Sequence, residues 1–321
     1  MATDDEEPSG SALPPDEAFG LLGDETRMEI LHALATAGDV LSFSSLYDRV
    51  DVRDSGQFNY HLDKLQGHFV EKTDEGYNLT RAGDRVIQAV FSGAITETPV
   101  MEPTEIEKPC IYCGASTLIS SRGGRVRHYC SACTGTYGLV SPDSAAEIGS
   151  SSRDERDELG LLGQMRLPPA GIQGRTPGEV FETTFIWGTL ELLAMGRGVC
   201  PRCSATVDRS VRCCDDHDTE ERVCEQCGSR YAALCKTHCA NCTFRNRAPI
   251  VLLCLGDPAV MTFLTANGVD PLEDWSMLNW SEEVTGTDPF EGRFTCSLGD
   301  DAVTLVVDET VTVNEVVSTQ Q

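Results

Sequence analysis

Cysteine is the residue whose spacing promises chemistry in this chain. Cys110/Cys113, Cys130/Cys133, Cys200/Cys203, Cys224/Cys227 and Cys239/Cys242 each form a Cys-x-x-Cys pair. Two intervening residues let both thiolates of one tight turn face a common point, and two such turns complete the tetrahedral shell that Zn²⁺ favours. Disulfides are the rival use of paired cysteines. They suit small secreted domains, however, and this chain is long, with its cysteines clustered in pairs.

The first module joins Cys110 and Cys113 to Cys130 and Cys133 across a turn near Arg122-Gly123-Gly124-Arg125, the plan of a zinc ribbon. Four thiolates close the shell and leave no position for a catalytic water. Its loop carries Arg122, Arg125, Arg127 and His128, which read either as a contact for phosphate or an acidic partner or as a solvated loop. In the second module Cys200, Cys203, Cys214, His217, Cys224, Cys227, Cys239 and Cys242 suffice for two tetrahedral sites. Spacing admits a sequential, a cross-braced or a nested pairing. The nested form is preferred, with Cys214, His217, Cys224 and Cys227 inserted into an outer ribbon. The expectation is two to three structural Zn²⁺ per chain. Cys213, Cys235 and His238 are left without a role, and Cys254 and Cys296 read as small buried hydrophobes. A redox dithiol lacks a thioredoxin-like setting at any pair. No grouping for nucleophilic or acid–base catalysis stands out, so the chain is read as a non-enzyme.

Elements that could position these residues follow from periodicity. Residues 1–14 read as a disordered acidic tail. Over 15–95 a compact helical unit is expected. Leu21, Leu22, Met28, Ile30, Leu31 and Leu34 recur at helical spacing, Asp24 or Thr26 serves as cap, and Gly38 is the stop. A second helix runs from Phe43 to Val50 behind Ser42, and a third from about Ser55 to Gly67 with Phe58, Leu62 and Leu65 on one face. Two short strands follow between Phe69 and Leu79, then a helix from Thr80 to Phe91. Residues 96–108 read as a linker, 109–140 as the zinc ribbon and 141–175 as a second linker. Over 176–321 a helix, the Cys-rich module and C-terminal strands are expected. Thr176-Pro177-Gly178-Glu179 is a helix-start signature. Phe181, Phe185, Leu190 and Leu193 form a core or dimer stripe, with Trp187 off it. Ile250–Leu255 reads as a buried strand, Pro258–Asn267 as a helix, and 293–298, 303–307 and 310–317 as strands. The fold class is α+β: a winged helix-turn-helix, then zinc-ribbon modules and a small α/β segment.

Helix, helix, turn, helix and wing is a DNA-reading plan. On the third helix Gln57 and Asn59 can pair with adenine edges, while Ser55, Tyr60, His61 and Lys64 complete the polar face. Arg53, Lys72 and Arg81 are further phosphate candidates. The bland alternative is a solvated helix face or a protein-docking module.

The run Leu21 to Leu34 resembles the opening of ArsR-type winged-helix regulators. So does Ser55 to Leu65, whose Tyr60-His61-Leu62 and Leu65 match their recognition helix. With the Cys modules, the chain is similar to haloarchaeal winged-helix transcriptional regulators that carry zinc-ribbon-like segments. The resemblance implies a promoter-acting regulator that binds double-stranded DNA as a homodimer. Metal-sensing ArsR members carry Cys in the helical domain, whereas residues 1–109 here contain none, so sensing through that domain is not expected. Two alternatives stay open. One is a docking factor for RNA polymerase or basal transcription factors, on the plan of archaeal transcription factor E. The other is a thiol or metal sensor.

Asp and Glu outnumber Lys and Arg 51 to 25, for a net charge of −26. Such a surface stays hydrated at molar salt, where the Debye length of about 3 Å screens its self-repulsion. The composition reads as that of a halophilic archaeon, and under such screening negative charge does not exclude DNA binding. The start has no signal or transit character and no stretch is fit to span a bilayer, so a cytoplasmic protein without membrane contact is expected.

Overall fold

The computed structural model describes residues 13–142, 158–218, 223–272 and 278–319. The acidic tail expected over 1–14 lies outside them except for Leu13 and Pro14. Two compact units divide the chain, 1–97 and 98–321.

The first unit runs α1 (Pro15–Leu22), α2 (Glu25–Ala37), α3 (Phe43–Tyr47), α4 (Ser55–Leu65), β1 (Val70–Lys72), β2 (Tyr77–Leu79) and α5 (Arg81–Phe91). Side-chain oxygens start the helices: Asp24 accepts from the Arg27 amide, Ser42 from Ser45, Asp54 from Gln57 and Thr80 from Gly83. Each satisfies an amide the helix itself cannot, typically worth about 1 kcal/mol. Gly38, at φ +67°, ends α2 in the left-handed region that glycine enters without penalty. Ile30, Leu31 and Leu34 of α2, Leu46 of α3, Phe58, Leu62 and Leu65 of α4, and Ile87 of α5 close one core. The hairpin β1–β2 joins it through Val70 and Tyr77, and Leu41 exchanges backbone hydrogen bonds with Tyr77.

The second unit is built on antiparallel sheets. β3 (Met101–Pro109), β4 (Ser116–Arg122), β5 (Arg125–Cys130), β6 (Leu139–Val140) and β7 (Leu159–Met165) form a five-stranded sheet in the order β3-β4-β5-β7-β6. Both linkers of the sequence reading therefore contribute structure. Met101–Pro109 is an edge strand rather than a spacer, and Leu159–Met165 pairs on both sides. Their composition hid them. β3 alternates only loosely, and β7 is interrupted by Gly160 and Gly163. The glycine at 160 has a packing reason, because a Cβ there would overlap the Cys133 carbonyl oxygen. β7 can thus cross the second Cys turn of the first module at backbone contact.

After β7 come α6 (Pro177–Gly196), β8 (Val207–Cys213), β9 (Ala233–Cys239) and β10 (Arg245–Pro249), the strands forming a sheet in the order β10-β9-β8. The expected start of α6 is a full capping box, in which Thr176 and Glu179 satisfy each other's backbone amides. Of its expected stripe Phe181, Phe185 and Leu193 are half-buried and Leu190 is 46 % exposed; Trp187, off the stripe, is exposed, as is Ile186, while Thr189 and Glu191 are buried. Glu191 is held by Trp187 Nε1 at 2.8 Å and Arg202 Nη2 at 2.7 Å.

The segment expected as a strand over 250–255 is instead α7 (Ile250–Leu253) followed by a 3-10 turn. A short, wholly apolar run buried on every side has no periodicity to separate strand from helix. α8 (Pro258–Ala266) leads to a meander of β11 (Asn279–Thr287), β12 (Phe290–Leu298), β13 (Asp301–Asp308) and β14 (Val313–Thr319). β11 was missed. Phe294, Val303, Leu305 and Val307 pack with Leu253, Val260 and Leu264 in the main core, which also buries Cys254 and Cys296. Glu282 of β11 reaches back to accept from the amides of Ala232 and Ala233. Burial pushes its carboxyl up to about 7, against which the two amides act. Among the described residues no helix is long and apolar enough to cross a membrane.

Gly160→Ala should cost about 1–3 kcal/mol through forced overlap, read as a lowered melting temperature of the second unit. A raised folded pKa means that the native state holds the Glu282 proton more tightly. That stabilisation is complete below 4.5 and is lost as pH rises through about 7. The stability difference between wild type and Glu282→Gln should therefore decline across this window in urea titrations.

Candidate metal centres and the exposed face of α4

Four of the five Cys-x-x-Cys turns are closed by backbone bonds that the spacing permits. The carbonyl of the first cysteine accepts from the residue after the second: Gly114 to Cys110, Ser204 to Cys200 and Gly228 to Cys224, each at 2.9 Å. Those three donors adopt φ of +73°, +62° and +62°. Glycine suits that conformation, and Ser204 adopts it at a steric cost. The first cysteine's own amide then donates five residues on, Cys110 to Ala115, Cys200 to Ala205, Cys224 to Ser229 and Cys239 to Phe244. These bonds fold both Sγ atoms of a pair toward one side.

All twelve expected ligands come together as three groups of four: Cys110, Cys113, Cys130 and Cys133; Cys200, Cys203, Cys239 and Cys242; Cys214, His217, Cys224 and Cys227. Within each group the ligand atoms lie within 4.8 Å of one another. Sulfurs of different pairs approach at 3.7 Å (Cys110–Cys133), 3.4 Å (Cys113–Cys130), 3.7 Å (Cys200–Cys242) and 3.5 Å (Cys203–Cys239). Zn–S bonds of about 2.3 Å at tetrahedral angles require S···S of about 3.8 Å, whereas a disulfide requires about 2.05 Å. The donor sets fit a zinc-type ion, and all fifteen cysteines are free of disulfides. Of the three pairings, the nested one is realised, with the Cys214–Cys227 site lying inside the Cys200–Cys242 ribbon.

Amides prepare the thiolates. Those of Cys242 and Asn241 point at Cys239 Sγ and bring its pKa down to about 6, and those of Asp218 and Cys227 bring Cys224 to about 7. Burial pushes Cys110 and Cys227 up to about 12, so a bound cation must displace their protons. In the inner site His217 turns Nδ1 toward Cys227 Sγ at 3.4 Å, while Nε2 lies 3.3 Å from the Arg230 carbonyl. A carbonyl only accepts, so Nε2 carries the proton and Nδ1 is left as the ligand.

Arg230 ties this inner site to the first module. Its amide donates to Thr136 O at 2.8 Å and its Nε to Gly135 O at 3.2 Å, beside the Cys130–Cys133 turn. Its guanidinium lies 3.8 Å from the centre of the Tyr112 ring, and Tyr112 belongs to the Cys110–Cys113 turn. The modules expected on either side of a linker are thus packed together within the second unit. Arg202, between Cys200 and Cys203, joins the outer site to α6 through Glu191.

The basic loop of the first module is less available than its composition suggested. Arg127 is 4 % exposed and Arg122 pairs with Glu102 at 3.0 Å. His128 packs on Phe181 with ring centres 4.8 Å apart, and burial pushes its pKa down to about 4.

On α4, Ser55, Gln57, Asn59, Tyr60 and Lys64 are exposed, opposite the buried Phe58, Leu62 and Leu65. Lys64 Nζ lies 5.6 Å from the Tyr60 ring centre. Asp63 accepts from Asn59 Nδ2 at 3.2 Å and from Gln66 Nε2 at 2.7 Å. His61 departs from the expectation of an outward contact. It is 8 % exposed, with Nδ1 3.2 Å from Asp24 Oδ1 at the start of α2. Its position on the helix falls between the polar and apolar faces, and the cap of a neighbouring helix claims it. Arg53, Lys72 and Arg81 are exposed, Lys72 lying over Tyr77 at 5.6 Å.

Residues 15–90 match the family model described as Domain of unknown function (DUF7347), and residues 107–313 match Domain of unknown function (DUF7351). No curated protein and no solved structure matches the chain.

Metal analysis should return three Zn per chain, falling to two in Cys224→Ser. Because binding displaces thiol protons, affinity should weaken on acidification. The inner site, with three half-buried ligands, should surrender its ion to a chelator first, as seen by a stepwise chromophoric zinc assay.

Proposed function

The chain belongs to the family of Domain of unknown function (DUF7351), and we propose that it is a DNA-binding transcriptional regulator whose first unit is a winged helix. The observation carrying this reading is the outward row Gln57, Asn59, Tyr60 and Lys64 on α4, beside the β1–β2 hairpin with Lys72. In this reading α4 lies in the major groove, Gln57 and Asn59 meet base edges, and Ser55, Tyr60 and Lys64 hold phosphates. Arg53, Lys72 and Arg81 contact the flanking backbone. His61 serves instead to seat α4 against α2. Two copies read two half-sites as a homodimer, and the metal centres stiffen the second unit without taking part in chemistry.

A second reading, docking to the transcription machinery, is favoured by one feature. Asp63 stands on the same face, occupies Asn59 through a hydrogen bond and would meet phosphates with like charge.

Selection of bound genomic fragments at high KCl separates the readings, an enriched motif supporting the regulator. Replacing Gln57 and Asn59 by Ala should then relax sequence preference by about 1–3 kcal/mol per lost bidentate contact. Unchanged preference after both substitutions would remove α4 as the reading element. Absence of any motif, together with co-purifying polymerase, would establish the docking factor.

A further inference from the structure

The sheet β8–β9–β10 sends Val207, Ala233, Cys235 and Cys239 inward; residues of opposite parity form its other face, covered at one end, where Leu234 and Pro249 are buried, and open elsewhere. That face carries Asp208, Ser210 and Arg212 of β8, Lys236 and His238 of β9, and Arg245 and Arg247 of β10. Register sets Lys236 directly across from Arg247, and His238 across from Arg245. The like charges of Lys236 and Arg247, so opposed, destabilise the sheet. Asp208, across from His238, is the single acidic residue on these strands, in a chain where acids outnumber bases 51 to 25. Arg212, Lys236 and Arg245 are exposed and make no ion pair among the described residues. Arg247 Nε is buried without a hydrogen-bond partner.

We propose that this face binds the sugar-phosphate backbone of duplex DNA, as a contact additional to α4. The inference rests on the DNA-binding reading above and extends it to the second unit. Cations recur at about 7 Å along a strand and about 5 Å between strands, a grid that can engage several phosphates at once. The outer face has no Phe, Tyr or Trp on which unpaired bases could stack, which favours a duplex backbone over a single strand. Carrying no base-reading geometry, it adds affinity without sequence preference.

The test uses the full zinc-loaded chain and compares wild type with Arg212→Ser/Lys236→Ser/Arg245→Ser in duplex binding across a KCl series. If each cation neutralises one phosphate, the slope of log K against log [KCl] becomes shallower by about 2–3. The selected motif stays the same. Lys236→Ser alone, which leaves Arg212, Arg245 and Arg247 in place, should lower the slope by about 0.9, and zinc content checks that both variants are folded. Equal slopes in wild type and both variants, with Lys64→Ser still weakening binding, would overturn the second contact and leave the regulator reading intact. A wild type that binds no duplex would overturn both. Loss of an RNA or an acidic protein from the triple variant, with duplex binding unchanged, would reassign the face and equally end the proposal.

Discussion

Tetrahedral closure is the constraint on which the second unit depends. Four ligand atoms must converge within a few ångströms, and short turns alone cannot achieve it. The sheets bring the turns together. β4 and β5 carry Cys130 back to Cys110, and β8 and β9 carry Cys239 back to Cys200. Conversely, sheets of three and five short strands bury little apolar surface, and a metal supplies what a small core cannot. Arg230 then uses one residue for two centres. Its carbonyl fixes the tautomer of a ligand in one, and its amide and guanidinium grip the turns of the other.

Much of this was legible in the residues because covalent spacing is a local property. Cys-x-x-Cys predicts its own turn, and Gly114 and Gly228 after the second cysteine announce the left-handed residue that the turn needs. The caps Asp24, Ser42 and Thr176 were likewise local. What escaped was set by distant partners. β7 reads as a glycine-broken coil until Cys133 is known to lie beneath Gly160. α7 is a featureless apolar run until its neighbours are known. His61 lies at the border of the apolar face on a helical projection, and only the fold shows it set beside Asp24. The pairing of the inner and outer ligands could be enumerated from spacing but not chosen.

Charge tells a similar story at larger scale. Composition gives a uniformly acidic chain, and the folded sheet of β8 to β10 gathers bases on one side. Arginines that looked most available in sequence, around 122–127, are partly consumed by packing and by Glu102. The exposed bases of that sheet, Arg212, Lys236 and Arg245, sit on three different strands, so their clustering is visible only through register. On α6 the usual logic is inverted, with Glu191 inside and Ile186 and Leu190 outside. The buried carboxylate is tolerated because Arg202 and Trp187 meet it.

The nested arrangement also fixes an order in time. As the chain leaves the ribosome, Cys227 completes the inner quartet while the outer one still lacks Cys239 and Cys242. The first quartet is complete still earlier, at Cys133, but waits for β7 to cross it and for Arg230 to lock it. Vectorial synthesis therefore offers the first and inner quartets their full ligand sets before Cys239 emerges, whereas Cys200 and Cys203 must wait past Cys214, His217, Cys224 and Cys227 for theirs. Fifteen cysteines admit many wrong pairings, and closure of the inner quartet takes its four ligands out of the competition before the outer pair arrives.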